Sequence, residues 1–257
     1  MSGGRARIGV LVVAYNAIST LARTIDRIPP EMMAKLDGVF VFDDHSSDNT
    51  YEAALAYRRT SGLDKLSVFH NERNLRYGGN QKRGFRYAVD QGYDIVVLLH
   101  GDGQYAPEVM ADLVAPVERG EADLTMGSRM MPGCRPLKGG MPLYKFVGNK
   151  ILTSFENAML GTRLAEFHSG YRAYNCHALA KLPLDRCSDE WHFDTEIIIH
   201  LLAAGYRVTE TPIPTYYGDE ICRVNGLAYA YRCCEAVAKY RLHQVGLIRS
   251  EAFDLGK

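Results

Sequence analysis

The chain has 257 residues, 47% hydrophobic and 23% charged, a composition that buries a substantial core and excludes a disordered polymer. Thirty Lys and Arg balance thirty Asp and Glu, so the broad positive field that duplex nucleic acid selects is missing, no nucleic-acid partner is expected, and any anionic ligand must be gripped locally. No run reaches the roughly 18 apolar residues of a membrane span, and the six cysteines fit neither a zinc spacing nor the framework of a small secreted domain. The expectation is a cytoplasmic protein with reduced thiols, soluble or held peripherally at a membrane.

In chain order, the opening MSGGRARIGVLVVAY carries a short apolar run that soon meets Asn16 and Ser19, which suits a buried first strand better than a signal peptide. Further apolar runs at 38–43, 65–70, 94–100 and 122–127 read as buried parallel strands. Between them, 18–28, 49–61, 81–91 and 107–119 carry apolar residues three and four apart and are long enough for crossover helices. This alternation predicts an α/β fold, a doubly wound and mostly parallel sheet with helices on both faces and ligands at the carboxyl ends of its strands. The stretch Arg76-Tyr77-Gly78-Gly79-Asn80 reads as a tight turn, or as a helix N-terminus open to anions. After residue 128 a Gly, Pro and Lys/Arg-rich loop, SRMMPGCRPLKGGMPL, has the length of a binding loop or lid. A helix at about 143–160, a strand around 169–174, a helix near 194–204, a strand around 206–213 and a last helix near 226–245 follow. The last helix reads as amphipathic and packed on the domain, with attachment to a membrane surface or a further domain as the alternative. On it, Cys233 and Cys234 read as packing residues rather than redox ones.

Polar residues cluster where strands end. The second strand runs into Asp43-Asp44-His45-Ser46-Ser47-Asp48-Asn49, and the fourth into His100-Gly101-Asp102-Gly103-Gln104. A carboxylate beside an amide oxygen, with glycines that let backbone approach, suits a hard cation such as Mg²⁺ or Mn²⁺. Taken singly, each cluster also reads as a turn with a helix cap, Asp48 or Asn49 capping the helix that follows.

Seven segments in register extend these readings: VVAYNAIST, DDHSSDNT, HNERNLRYGGNQKRG, LLHGDGQYAPE, ADLTMGSR, HSGYRAY and FDTEI. With them the sequence resembles the inverting glycosyltransferases of the type A fold (GT-A), most closely the dolichyl and polyprenyl phosphate mannose or glucose synthase branch. The resemblance covers about residues 8–215 and implies a GT-A domain over 1–215, with 216–257 as a helical appendage packed on it or leading to a further segment. It implies that Ala14, Tyr15 and Asn16 border the base and ribose of a UDP- or GDP-sugar, that Asp43 or Asp44 bonds the base, and that His100, Gly101 and Asp102 line the donor. Asp102 and Gln104 would hold Mg²⁺ or Mn²⁺. Arg129 and Arg172, forks suited to phosphate, join Arg135, Lys138, Lys145 and Ser169 on the acceptor side. Asp194 and Glu196 stand where relatives place the catalytic base. The sequence departs from the family pattern twice: His100 replaces the first acid of the usual Asp-x-Asp, and His45 replaces a glycine. The implied acceptor is a lipid phosphate; transfer to a soluble hydroxyl acceptor, or sugar-nucleotide binding without turnover, are the alternatives.

Overall fold

The computed structural model describes residues 5–217 and 225–254. The chain opens with strand β1 (Ile8–Ala14), then helices α1 (Leu21–Asp26) and α2 (Pro30–Lys35), strand β2 (Gly38–Asp43) and helix α3 (Thr50–Ser61). Strand β3 (Leu66–His70), helix α4 (Arg76–Asp90), strand β4 (Ile95–His100), helix α5 (Met110–Glu118) and strand β5 (Leu124–Ser128) continue the alternation. Beyond the long loop lie helix α6 (Leu143–Leu160), strand β6 (Arg172–Asn175), the single-turn helix α7 (Cys176–Leu179), helix α8 (Phe193–Ala203), strand β7 (Val208–Pro212) and helix α9 (Gly226–Gln244).

The strands form one sheet in the order β3-β2-β1-β4-β6-β5-β7, in which β6 runs antiparallel to both neighbours and every other pair is parallel. Val10, Val12, Val39, Val41, Val97 and Leu99 pack on one face with Leu21, Ile25, Met110 and Leu113 from α1 and α5. The residues between them, Leu11, Phe40, Phe42, Val96 and Leu98, pack on the other face with Phe85 of α4 and Phe193, Ile197 and Leu201 of α8. Both faces are covered, which is why the strands read as unbroken apolar runs. A third cluster joins α6, α8 and α9 through Ile199, Ala236 and Val237 with Phe155, Met159 and Leu160. Among the described residues no helix is long and apolar enough to cross a membrane. Five cysteines are free thiols; Cys222 lies outside the described residues.

From β1 the chain winds to β2 and β3 on one side, then returns to place β4 on the other. The crossovers thus reverse between β1 and β4, and in open α/β sheets the crevice at such a reversal is where ligands sit. The tips of β1, β2 and β4 lie side by side, Ala14 opposite Asp43 and Val13 opposite His100. Because β6 is antiparallel, its first residue, Arg172, reaches the same edge.

One local expectation is corrected. Helix α4 starts at Arg76 rather than 81, so the Gly pair sits inside it. A Cβ on Gly78 would stand 2.6 Å from the Ser188 carbonyl oxygen and 2.7 Å from Phe193 Cβ, so this glycine permits close packing and is no turn. Helix α2 begins with Pro30 at its first position, where the missing N–H costs no hydrogen bond. The helix after β2 has Asn49 at its cap position without a side-chain bond, and the cap-like contact comes from Asp48, whose Oδ1 accepts from Thr50 N–H at 3.1 Å.

Candidate active site at the carboxyl edge of the sheet

Asn16 turns the chain off β1 with a left-handed backbone, φ 51°, which Asn tolerates better than most residues. Its N–H donates to Ser46 Oγ at 2.8 Å and its Oδ1 accepts from Ser47 N–H at 2.9 Å, tying the β1 and β2 loops together. Tyr15 is 44% exposed beside them. Asp43 is fully buried and accepts from the Ser46 hydroxyl and N–H, and it pairs with His70 Nδ1 at 2.7 Å. Asp44 Oδ1 accepts from Asn71 Nδ2 and Leu75 N–H, both at 2.7 Å, and burial pushes its carboxyl above the usual range. Both carboxylates brace the loops that wall the crevice. His45 has a left-handed backbone, φ 60°, and its Nδ1 lies 3.1 Å from the Asn71 carbonyl.

At the tip of β4, Gly101 N–H donates to the Val13 carbonyl at 2.9 Å, and its own carbonyl accepts from Thr20 Oγ1 at 2.7 Å. Asp102 then projects into solvent, with Oδ1 accepting from Gln104 N–H at 3.0 Å. Gln104 lines a cleft of about 410 Å³ with Arg27, Tyr105 and Tyr216. One exposed carboxylate and one amide fit a hard cation whose remaining ligands are phosphate and water oxygens. His100 turns the other way. Its ring packs edge-on against Tyr77 and Tyr105, with centroids at 5.6 and 5.1 Å, and Nε2 lies 3.3 Å from the Tyr77 hydroxyl. A Cβ on Gly170 would stand 2.6 Å from that nitrogen, so glycine is what lets the ring fit. Burial holds the imidazole below its ordinary 6.5, so it is neutral at neutral pH and forms part of the wall.

Asp194, buried at the start of α8, accepts from the Tyr77 hydroxyl at 2.8 Å and from Gln81 Nε2 at 3.4 Å, and it lies 3.4 Å from Arg172 Nη1. Arg172 is fully buried; it donates to the carbonyls of Ser169 at 2.7 Å, Phe167 at 2.9 Å and Asp194 at 3.0 Å. Its guanidinium organises the interior behind Asp194. Ser169 is buried with it. Glu196 does not join Asp194: side chains two apart on a helix point to different sides. Glu196 accepts from Ser188 N–H at 2.6 Å and lines a separate cleft of about 250 Å³ with His192, Arg232 and Lys239; burial pushes its carboxyl up.

Arg129, at the end of β5, is buried against Glu166 and also donates to the His168 carbonyl at 3.2 Å and Tyr217 Oη at 3.3 Å. Burial pushes the Glu166 carboxyl up, but the Arg129 charge and its hydrogen bonds outweigh it and hold the group below its usual value. Arg129 thus forms a buried ion pair with Glu166. The loop cations differ. Arg135 and Lys138 are exposed, and Lys145 is half-buried with Nζ 5.0 Å from the Tyr217 ring centre. Tyr217 N–H also donates to the Gly139 carbonyl at 2.9 Å, fastening the loop to the segment after β7. Tyr77, Tyr105, Trp191 and Glu166 were not among the expected site residues. Trp191 stacks on Tyr77 at 4.3 Å; the available sequence signal was a lone aromatic or acid in a polar connection, too common to single out.

A crevice at a β1–β4 reversal, with an exposed carboxylate at one strand tip, lies where open α/β sheets bind their ligands. The sequence matches Glycosyl transferase family 2 over residues 9–182, and the chain belongs to that family. It is 29% identical over 208 residues to the undecaprenyl-phosphate mannosyltransferase of Micrococcus luteus, covering 80% of this chain and 82% of that one. To the polyprenol monophosphomannose synthase of Mycolicibacterium smegmatis it is 28% identical over 209 residues, covering 79% and 75%. Its fold superposes on glucosyl-3-phosphoglycerate synthase from Mycobacterium tuberculosis, solved with Mn²⁺, uridine diphosphate and phosphoglyceric acid. The TM-score is 0.67 at 18% identity, over 93% of this chain and 78% of that one. The protein is a glycosyltransferase with the GT-A fold.

Proposed function

We propose that this glycosyltransferase moves a hexosyl group from a UDP- or GDP-sugar to a polyprenyl phosphate, with inversion, using Mg²⁺ or Mn²⁺ held by Asp102 and Gln104. The observation that carries the reading is the division of charge at the carboxyl edge: Asp102 is exposed at the β4 tip, while Arg135 and Lys138 are exposed on the loop after β5. In the reaction the bond from the anomeric carbon to the donor diphosphate breaks as one forms to an acceptor phosphate oxygen. The bound cation supplies Lewis-acid neutralisation of the charge gathering on the departing diphosphate. Ala14, Tyr15 and Asn16 border the nucleotide, and Gly101 allows backbone approach. Arg135, Lys138 and Lys145 meet the acceptor phosphate. That acceptor is already ionised near neutral pH and needs positioning more than deprotonation. Asp194, held by Tyr77 and Arg172, acts as a positioning residue for the wall formed by Tyr77 and His100. The names of the two bacterial relatives support a lipid phosphate acceptor, and any contact with the membrane is peripheral.

The test is incubation of the purified protein with a panel of UDP- and GDP-sugars and a polyprenyl phosphate, with and without chelator, reading product by mass spectrometry. Glycolipid formed only with divalent cation is the expected result. Transfer indifferent to chelator, or confined to soluble acceptors, overturns the proposal.

A further inference from the structure

Away from the crevice, three polar side chains from distant parts of the chain converge in the seam between α6, α9 and the loop before β6. They are Glu156, His168 and Cys233, and one ligand atom of each lies within 4.8 Å of the others. Glu156 and Cys233 are fully buried and the His168 side chain is 8% exposed. Glu156 Oε2 and His168 Nε2 approach to 3.0 Å as a buried ion pair. A buried carboxylate and imidazole beside a thiol bring three metal-binding groups together away from water, where charge is costly unless it is compensated.

The outer contacts complete the pattern. Thr195 Oγ1 donates to the other oxygen of Glu156 at 3.3 Å and lies 3.3 Å from Cys233 Sγ. Tyr229 Oη lies 3.0 Å from His168 Nδ1 and also bonds the Cys233 sulfur. Tyr229 Oη thus meets the imidazole on the nitrogen away from Glu156, which leaves Nε2 facing the Glu156 carboxylate. Metal-bound histidines are held in this manner, by a partner on the nitrogen that does not ligate.

We propose that Glu156, His168 and Cys233 form a structural zinc site that staples α9 to α6 and to the loop leading into β6. The donor set of one carboxylate, one imidazole and one thiolate is what Zn²⁺ accepts and what Mg²⁺ does not. A carboxylate and a thiolate also balance the charge of the ion in a buried place. The cysteines showed no zinc spacing because the ligands come from three separate segments. The same loop continues through Gly170, whose backbone closes against His100, so the staple steadies the wall of the crevice without touching the donor.

Metal content after dialysis into metal-free buffer, measured by elemental analysis in the absence of any sugar nucleotide, tests the site together with the spectrum of the Co²⁺-loaded protein. One zinc per chain and a thiolate-to-cobalt charge-transfer band are expected in the wild type, in Cys234→Ser and in Asp102→Asn. Cys233→Ser and His168→Gln are each expected to lose at least tenfold in zinc retained and to lack the zinc-dependent rise in melting temperature. If Cys233→Ser does not fold, Glu156→Gln serves in its place. A wild-type protein that holds no zinc and melts at the same temperature with it overturns the proposal, as does a cobalt band that survives Cys233→Ser. The Asp102→Asn control separates this ion from the donor-side cation.

Discussion

Asp102 stands in solvent at the β4 tip with one carboxylate oxygen on the Gln104 backbone, whereas Arg129 and Arg172 are enclosed by protein. Replacing Asp102 by Asn removes the charge proposed to hold the donor-side cation; kcat/KM is expected to fall by about two to three orders of magnitude. Stability should stay within about 0.5 kcal/mol, as for other exposed substitutions; steady-state kinetics beside a thermal melt check both. Gly170→Ala sets a Cβ 2.6 Å from His100 Nε2 and 3.0 Å from the Tyr77 hydroxyl. It is expected to destabilise the fold by about 1–3 kcal/mol through overpacking. Urea denaturation of the single and of the Gly170→Ala/His100→Ala double variant checks this: the double should recover part of the loss. At this scale the sequence showed which residues carry charge but not which way they face. Arg129 and Glu166 are 37 residues apart, and Arg172 meets Asp194 across 22; those pairings arise only when the strands bring the loops together.

Helix α8 illustrates how an element distributes its side chains. Its periodicity sends Asp194 toward Tyr77 and the crevice, Glu196 toward α9, and His200 into the interior beside the Phe253 ring at 5.5 Å. Burial lowers the His200 imidazole from 6.5 to about 4. Because the folded pKa is depressed, the unfolded chain binds the proton more readily between these values; the contribution is intact above 6.5 and is lost as pH falls toward 4. The loss between pH 7 and pH 5 is expected to be about 2 kcal/mol. Asp44 and Glu196, whose carboxyls burial raises, act in the opposite sense. The difference between wild type and His200→Leu, measured by denaturation at both pH values, isolates the histidine: the variant should lack that loss. The existence of α8 was legible from its apolar content, as was that of α6. The start of α4 was not, because Gly78 and Gly79 carry the local signal of a turn and only the approach of Ser188 and Phe193 explains them as packing.

For the whole molecule, α9 covers apolar surface on α6 and α8 that includes Phe155, Met159 and Ile199. We propose that it completes the domain. Ending the chain after 217 exposes that surface, and the truncated protein is expected to aggregate or to melt at least about 5 °C lower, since 1–2 kcal/mol shifts a domain of this size by several degrees; size-exclusion chromatography and a melting curve decide. By itself the sequence determined the open α/β sheet, the reversal of its crossovers and the polar clusters at the β2 and β4 tips. These follow from short-range patterns: apolar runs that demand burial on both faces, and turn residues that end them. Only the tertiary structure decided which charges are presented to a ligand and which are consumed inside. The partner of a buried charge is chosen by desolvation among groups remote in sequence, and no local pattern encodes that choice.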